Sequence, residues 1–214
     1  MRHRGPGAAG GDRARAPEEG SLTDPIFRGS FPRADVVLDP PLPEVAFLGR
    51  SNVGKSSLLN ALTGRRIAKT SRTPGKTKMM NVFEVPGLYL LDLPGYGYAR
   101  ASHGERSAFR GLLTHALRRE RLGGVVWLLD LRRTLSADDR AMQDALAERG
   151  TRVLATFTKA DKLARGERVK RERELRAELG LADDQCVLTS ARTGDGMDEL
   201  REAIGGLVAT KEAR

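Results

Sequence analysis

Gly49-Arg50-Ser51-Asn52-Val53-Gly54-Lys55-Ser56-Ser57 stands between two apolar stretches, Val45-Ala46-Phe47-Leu48 before it and Leu58-Leu59-Asn60-Ala61-Leu62 after it. The order is strand, glycine loop, helix, and the spacing G-x-x-x-x-G-K-S is that of a phosphate-binding loop. Each part answers a chemical need. Glycines let backbone N–H groups face a polyphosphate, and the start of a helix adds a favourable dipole. Lys55 is spaced to reach the β- and γ-phosphates, and the Ser56 hydroxyl to complete a Mg²⁺ shell. An ordinary turn before a helix would explain the glycines but not the Lys-Ser pair between strand and helix. The stretch predicts a bound nucleoside triphosphate.

Four further segments bear on which nucleotide. Thr158-Lys159-Ala160-Asp161 ends the apolar run Val153-Leu154-Ala155-Thr156-Phe157 and has the form [N/T]-K-x-D. Its aspartate can accept hydrogen bonds from guanine N1–H and the exocyclic amine, a donor pair adenine lacks. Sites built on such pairing discriminate by roughly 10⁴–10⁵. The tetrapeptide gains meaning from its place, at a strand's C-terminal end, where ligands of open α/β sheets bind. Asp92-Leu93-Pro94-Gly95 follows Leu88-Tyr89-Leu90-Leu91 as D-x-x-G. Asp92 is the candidate to hold Mg²⁺ through water, and the Gly95 N–H the candidate sensor of the γ-phosphate. Thr73-Pro74-Gly75-Lys76-Thr77 lies where a switch threonine is expected, with Thr77 chosen for the Mg²⁺-binding hydroxyl over Thr73 and Thr70. Lys55 and Thr77 are the candidate catalytic residues. Thr189-Ser190-Ala191 ends the run Cys186-Val187-Leu188, where backbone N–H groups can meet the guanine carbonyl.

Taken together, the loop at Gly49–Ser57, the switch Thr73–Thr77, Asp92-Leu93-Pro94-Gly95-Tyr96-Gly97-Tyr98-Ala99 and Thr158-Lys159-Ala160-Asp161-Lys162 resemble the EngB GTPases. These belong to the TrmE-Era-EngA-EngB-Septin-like superfamily. The resemblance runs from about Asp24 to Val208. It implies a small cytoplasmic GTPase, Mg²⁺-dependent, binding GTP and GDP. It also implies a partner in the large ribosomal subunit or its precursor, through rRNA and ribosomal proteins, and a link to cell division and septation. Where Ras-like enzymes place a glutamine after D-x-x-G, this chain has Tyr96, which has no amide to orient water. Slow intrinsic hydrolysis is therefore expected. Tyr96 and Tyr98 read either as switch residues or as packing beneath the loop. Some GTPases with this resemblance use an asparagine at the position of Asn52 to ligate K⁺, whose charge would support the transition state. The other reading is that Asn52 shapes the loop.

The chain has 214 residues, enough for one α/β domain with a buried core. Met1 to Gly20 is rich in Gly, Ala, Arg and Pro without hydrophobic period, so residues 1–22 read as a disordered basic tail and 23–210 as a single GTPase domain. The single cysteine, Cys186, rules out an internal disulfide and reads as a buried structural thiol. The short apolar stretches do not suit a membrane span, and the N-terminus has no apolar segment of a secretory signal. A monomer without membrane attachment is expected. The net charge is +9. The tail sets four Arg against Asp12, Glu18 and Glu19, so the excess belongs to the rest of the chain. A basic surface of that size favours a polyanion. The rival reading is a GTP-gated scaffold that binds protein in the division machinery.

Apolar runs at 44–48, 81–85, 88–92, 124–130, 152–158 and 185–189 read as strands, and 55–63, 105–121, 137–149, 167–179 and 196–209 as helices. Pro86-Gly87 forces 81–85 and 88–92 into a hairpin, the one antiparallel edge pair. The fold class is α/β, a P-loop NTPase with a mostly parallel sheet of about six strands and helices on both faces. Uninterrupted runs such as Val125-Val126-Trp127-Leu128-Leu129 suit strands covered on both sides, so Trp127 reads as core. Ser136 before Asp138 and Asp139 reads as a helix cap, which leaves those acids no catalytic role. The strip Phe27–Asp39 stays open between an edge strand and a cover for the sheet. Of the Arg-rich stretch Arg100 to Arg121, those residues nearest Tyr96 are candidates to contact RNA.

Overall fold

The computed structural model describes residues 22–69, 78–97 and 102–212. Seven strands form one sheet in the order β1-β3-β4-β2-β5-β6-β7. They are β1 (Ile26–Phe31), β2 (Glu44–Gly49), β3 (Met80–Val85), β4 (Leu88–Asp92), β5 (Leu122–Asp130), β6 (Val153–Thr158) and β7 (Cys186–Leu188). From β4 through β7 the strands run parallel, and β3 pairs antiparallel with both β4 and β1. The six strands and the hairpin expected from sequence are all present. The seventh comes from the strip left open. Its first part, β1, is the edge strand, while Ala34, Val36, Leu38 and Leu42 further on pack against the core. That strip does both jobs.

Five helices complete the architecture: α1 (Lys55–Thr63), α2 (His103–Ala116), α3 (Ala137–Glu148), α4 (Arg165–Leu179) and α5 (Met197–Glu212). Side chains alternate across a strand, and here the alternation sorts the core into two layers. Val45, Phe47, Leu90, Val126, Leu128 and Leu154 meet α1 and α5 through Leu58, Leu62, Leu200 and Ile204. Ala46, Leu48, Leu91, Val125, Trp127 and Phe157 meet α2, α3 and α4 through Leu112, Leu113, Met142, Leu146 and Leu175. Leu22, at the end of the stretch read as tail, is buried with the first layer. Cys186 is buried, and burial pushes its thiol pKa up.

Two local details correct the sequence reading. Helix α2 stops at Ala116 rather than near Arg121, and the turn that follows lets Arg119 face inward. The Arg119 guanidinium binds both oxygens of the buried Glu44 carboxylate and donates to the Ala34 and Val36 carbonyls, at 2.6 and 2.7 Å. Arg119 is therefore a structural tie between β2, the 34–36 strip and the end of α2. On α4 the mixed charge does form local pairs, Lys170 with Glu174 and Arg171 with Glu174. Among the described residues no helix is long and apolar enough to cross a membrane.

Candidate functional site

The parallel strands end along one edge of the sheet, and the segments singled out in the sequence follow directly from those ends. The loop 50–54 leaves β2, Leu93-Pro94-Gly95 leaves β4, Lys159–Asp161 leaves β6, and Thr189-Ser190 leaves β7. A 3₁₀ turn, Ala160–Lys162, aims Asp161. Its Oδ1 accepts from Ser190 Oγ at 2.9 Å. Oδ2 is buried without a hydrogen bond, with Lys162 Nζ at 3.4 Å and an Arg192 nitrogen at 3.6 Å. Burial pushes the Asp161 pKa up, but the Ser190 bond and the Lys162 and Arg192 charges outweigh it and the pKa is lowered. A buried carboxylate oxygen with spare accepting capacity is what a paired N–H donor needs. The Ala160 N–H donates to Thr189 O at 3.1 Å, tying this turn to the β7 end.

Two side chains tie that end to the phosphate loop. Thr158 Oγ1 donates to Val53 O at 2.8 Å and approaches Leu129 O at 3.2 Å. Lys159, held at a left-handed φ of 64°, sends Nζ to Asn52 O at 2.6 Å and Asp130 Oδ2 at 2.9 Å. Burial pushes Asp130 up, yet its bonds from Arg132 and Lys159 bring its pKa to about 2. Asp130 went unnoticed in the sequence. Its signal was its position as the last residue of a buried strand. Asn52 has a left-handed φ of 65° and an exposed side chain, which agrees with the loop-shaping reading.

At the phosphate end, Lys55 Nζ contacts Asp92 Oδ1, both groups being buried, and Asn81 Nδ2 donates to Asp92 Oδ2 at 3.2 Å. Ser56 follows Lys55 at the helix start, half-buried. A cavity of about 190 Å³ is lined by the phosphate-loop residues Arg50, Ser51, Asn52 and Val53 with Asp130 and Asp139, and by none of Lys55, Asp92 or Asp161.

A family model described as 50S ribosome-binding GTPase matches residues 44–159. A probable GTP-binding protein EngB of Gemmatimonas aurantiaca is 47% identical over 176 residues, covering 81% of this chain and 86% of that protein. The chain belongs to the EngB family of GTP-binding proteins. The probable EngB of Syntrophomonas wolfei is 44% identical over 170 residues, 78% of this chain and 88% of that one. A crystal structure of a probable EngB protein superposes with a TM-score of 0.65 at 21% identity, covering 78% of this chain and 99% of that chain. A variant of Era from Aquifex aeolicus, bound to GDP·AlF₄⁻, superposes with a TM-score of 0.66 at 24% identity, covering 78% of this chain and 57% of that chain. These two likenesses bear on the fold.

The EngB candidates Thr70, Thr73, Pro74, Gly75, Lys76, Thr77 and Tyr98 lie outside the described residues. Tyr96, left open between two readings, is packed rather than displayed, 6% exposed. Its hydroxyl donates to Asp139 Oδ1 and accepts from Trp127 Nε1, both at 2.8 Å. Burial, then the Asp139 charge, pushes its pKa well above the ordinary tyrosine value. Ser136 does cap α3, with Asp139 as the reciprocal partner. The reading missed that Asp139 has a second task towards Tyr96, and that Trp127 is more than core.

Proposed function

We propose that this EngB protein is a guanine-nucleotide switch in large ribosomal subunit assembly, with slow GTP hydrolysis resetting its hold on the particle. One observation carries the guanine choice. The Asp161 carboxylate is pinned through one oxygen by Ser190, while its other oxygen is buried without a hydrogen bond. In this reading Asp161 accepts from guanine N1–H and its amine. Of the Thr189-Ser190-Ala191 backbone only the Ala191 N–H meets the carbonyl, because the Thr189 N–H donates to Phe157 O at 2.7 Å and the Ser190 N–H to Asp195 O at 3.0 Å. The phosphate loop Gly49–Ser57 cradles the phosphates, and Lys55 leaves Asp92 to neutralise the β- and γ-oxygens.

The oxygen donors suit Mg²⁺ better than a softer metal. Ser56 and Thr77 supply hydroxyls, and Asp92 sits buried beside Lys55 to act through water. What bound Mg²⁺ supplies there is charge neutralisation as the leaving oxygen develops. With its hydroxyl committed to Asp139, Tyr96 has no group left to orient an attacking water, which supports a slow intrinsic rate.

The ribosomal partner rests on the family description and on charge. Arg106, Arg110, Arg118 and Arg121 are exposed on and after α2, and no ion pair among the described residues engages them. Phosphate contacts by such groups make affinity fall steeply with salt. The test is co-sedimentation with purified large and small subunits, with GDP or a non-hydrolysable GTP analogue, at two salt concentrations. The expected result is binding to the large subunit alone, stronger with the analogue and weakened by salt and by Arg106→Ala/Arg110→Ala. Binding that ignores nucleotide would sink the switch. A flat salt response would favour a protein partner of the division machinery. Division and septation defects follow, on this account, from poor ribosome supply.

A further inference from the structure

The segment after Asp92 does not leave the sheet at once. Leu93 N–H donates to Phe47 O at 3.2 Å, Tyr96 N–H to Gly49 O at 3.2 Å, and Ser51 N–H to Tyr96 O at 2.9 Å. The β2–β4 pairing thus continues into the phosphate loop as a bridge between Arg50 and Tyr96. Gly95 lies so close that a Cβ there would sit 3.0 Å from Ser51 N and 3.1 Å from Ser51 Cα, so a side chain would push the phosphate-loop backbone away by a few tenths of an ångström. The Tyr96 ring is fixed from below. Trp127 Nε1 can only donate and an Asp139 carboxylate can only accept, so the Tyr96 proton must point at Asp139. Asp139 Oδ2 is itself held by Ser136 N–H at 2.9 Å and Ser136 Oγ at 2.6 Å, with the Arg50 guanidinium 3.9 Å away. Every polar group in this chain of bonds is satisfied. All of its anchors belong to β5, α3 and the phosphate loop. Directly beyond it, Gly97 takes a left-handed φ of 71°.

Any buried tyrosine hydroxyl needs a partner, but here the two partners come from β5 and α3 and fix the ring from two separate elements. We propose that Asp139 is a positioning residue for GTP hydrolysis. Through Tyr96 it holds Gly95 against the phosphate loop with either nucleotide bound. The proposal deepens the switch reading and rests on Gly95 as the γ-phosphate contact. A held Gly95 presents its N–H without a search, which favours GTP over GDP and readies the hydrolytic state.

Trp127 is the chain's only tryptophan, so its indole N–H gives one ¹H–¹⁵N resonance that reads the Tyr96 bond directly. The full-length protein would be recorded with GDP and with a non-hydrolysable GTP analogue, as would Tyr96→Phe and Asp139→Asn. Both substitutions are close to isosteric, and the amide oxygen introduced by Asp139→Asn can still accept from Ser136. The resonance should hold its position between nucleotides in the unsubstituted protein and move in both variants. Both variants should bind GDP unchanged and bind the GTP analogue about five-fold more weakly, the size expected for one lost buried hydrogen bond. A wild-type indole that moves on exchanging GDP for the analogue would overturn the fixed anchor. An indole that moves in the variants without any change in the GTP-to-GDP affinity ratio would overturn the positioning role and locate the fault in the Gly95 assignment.

Discussion

Asp161 and Lys55 mark two ends of one candidate site, and their surroundings commit them differently. Around Asp161 the close ties are ones that a bound guanine would leave in place: Ser190 on its Oδ1, Lys159 on Asn52 O and Asp130, and Thr158 on Val53 O. Only the looser Lys162 and Arg192 contacts to Oδ2, at 3.4 and 3.6 Å, would give way. Lys55 instead spends its charge on Asp92, a partner it must give up to a phosphate. Base recognition needs little rearrangement, whereas phosphate binding exchanges one buried ion pair for another. On the proposed function, specificity is preformed where partners are kept, and nucleotide state is read where partners are exchanged.

The sharpest way to break this contrast is Asp161→Ala. It should erase guanine preference, cutting discrimination against adenine nucleotides by orders of magnitude, on the scale of about 10⁴ for a site with buried pairing groups. Competition of ATP against labelled GDP measures it, and a preference that survives would mean the guanine end is elsewhere. A smaller effect is expected from Thr158→Val, which keeps shape and removes the donor to Val53 O. One buried hydrogen bond is worth about 1 kcal/mol, so GDP and GTP affinities should fall together by about five-fold. A loss confined to GTP would show that this tie belongs to the phosphate end.

The same contrast explains what the sequence disclosed. The loop, D-x-x-G and T-K-x-D were legible because each packs its chemistry into consecutive residues at a strand end, where strand and helix periods flank it. Six strands were readable as apolar runs. The seventh was not, because β1 (Ile-Phe-Arg-Gly-Ser-Phe) is a mostly exposed edge strand with a bulge between Phe27 and Gly29, and lacks a clean alternation. The Tyr96–Trp127–Asp139 chain was invisible for a different reason. Its members are 31 and 43 positions apart in pairs, and each had a sufficient local explanation as loop, core or cap. Arg119 likewise read as one more cation in a basic stretch until the end of α2 turned it towards Glu44.

A titration sharpens the phosphate end. The folded pKa of Tyr96 lies above the unfolded value of about 10. Its buried neutral form therefore stabilises the fold fully below about pH 10, and that contribution is lost as pH rises beyond it. Ultraviolet difference spectra should show Tyr96 ionising only with alkaline unfolding, and Tyr96→Phe should remove that component. Ready ionisation near pH 10 in the folded protein would mean the hydroxyl is not held as described. The smallest expected effect concerns Asn52. If Asn52 acts through loop shape, as its left-handed backbone and its carbonyl on Lys159 favour, GTP turnover should be nearly equal in K⁺ and Na⁺ at matched ionic strength. A marked K⁺ acceleration would favour the ligand role.

Amide hydrogen exchange with GDP and with a non-hydrolysable GTP analogue tests the contrast itself most directly, since local protection reports where structure opens. Differences between the two states should fall in the phosphate loop Gly49–Ser57 and at the start of α2, with none in Val153–Lys162 or Cys186–Asp195. Altered protection around Asp161 and Ser190 between the two nucleotides would contradict a preformed guanine end.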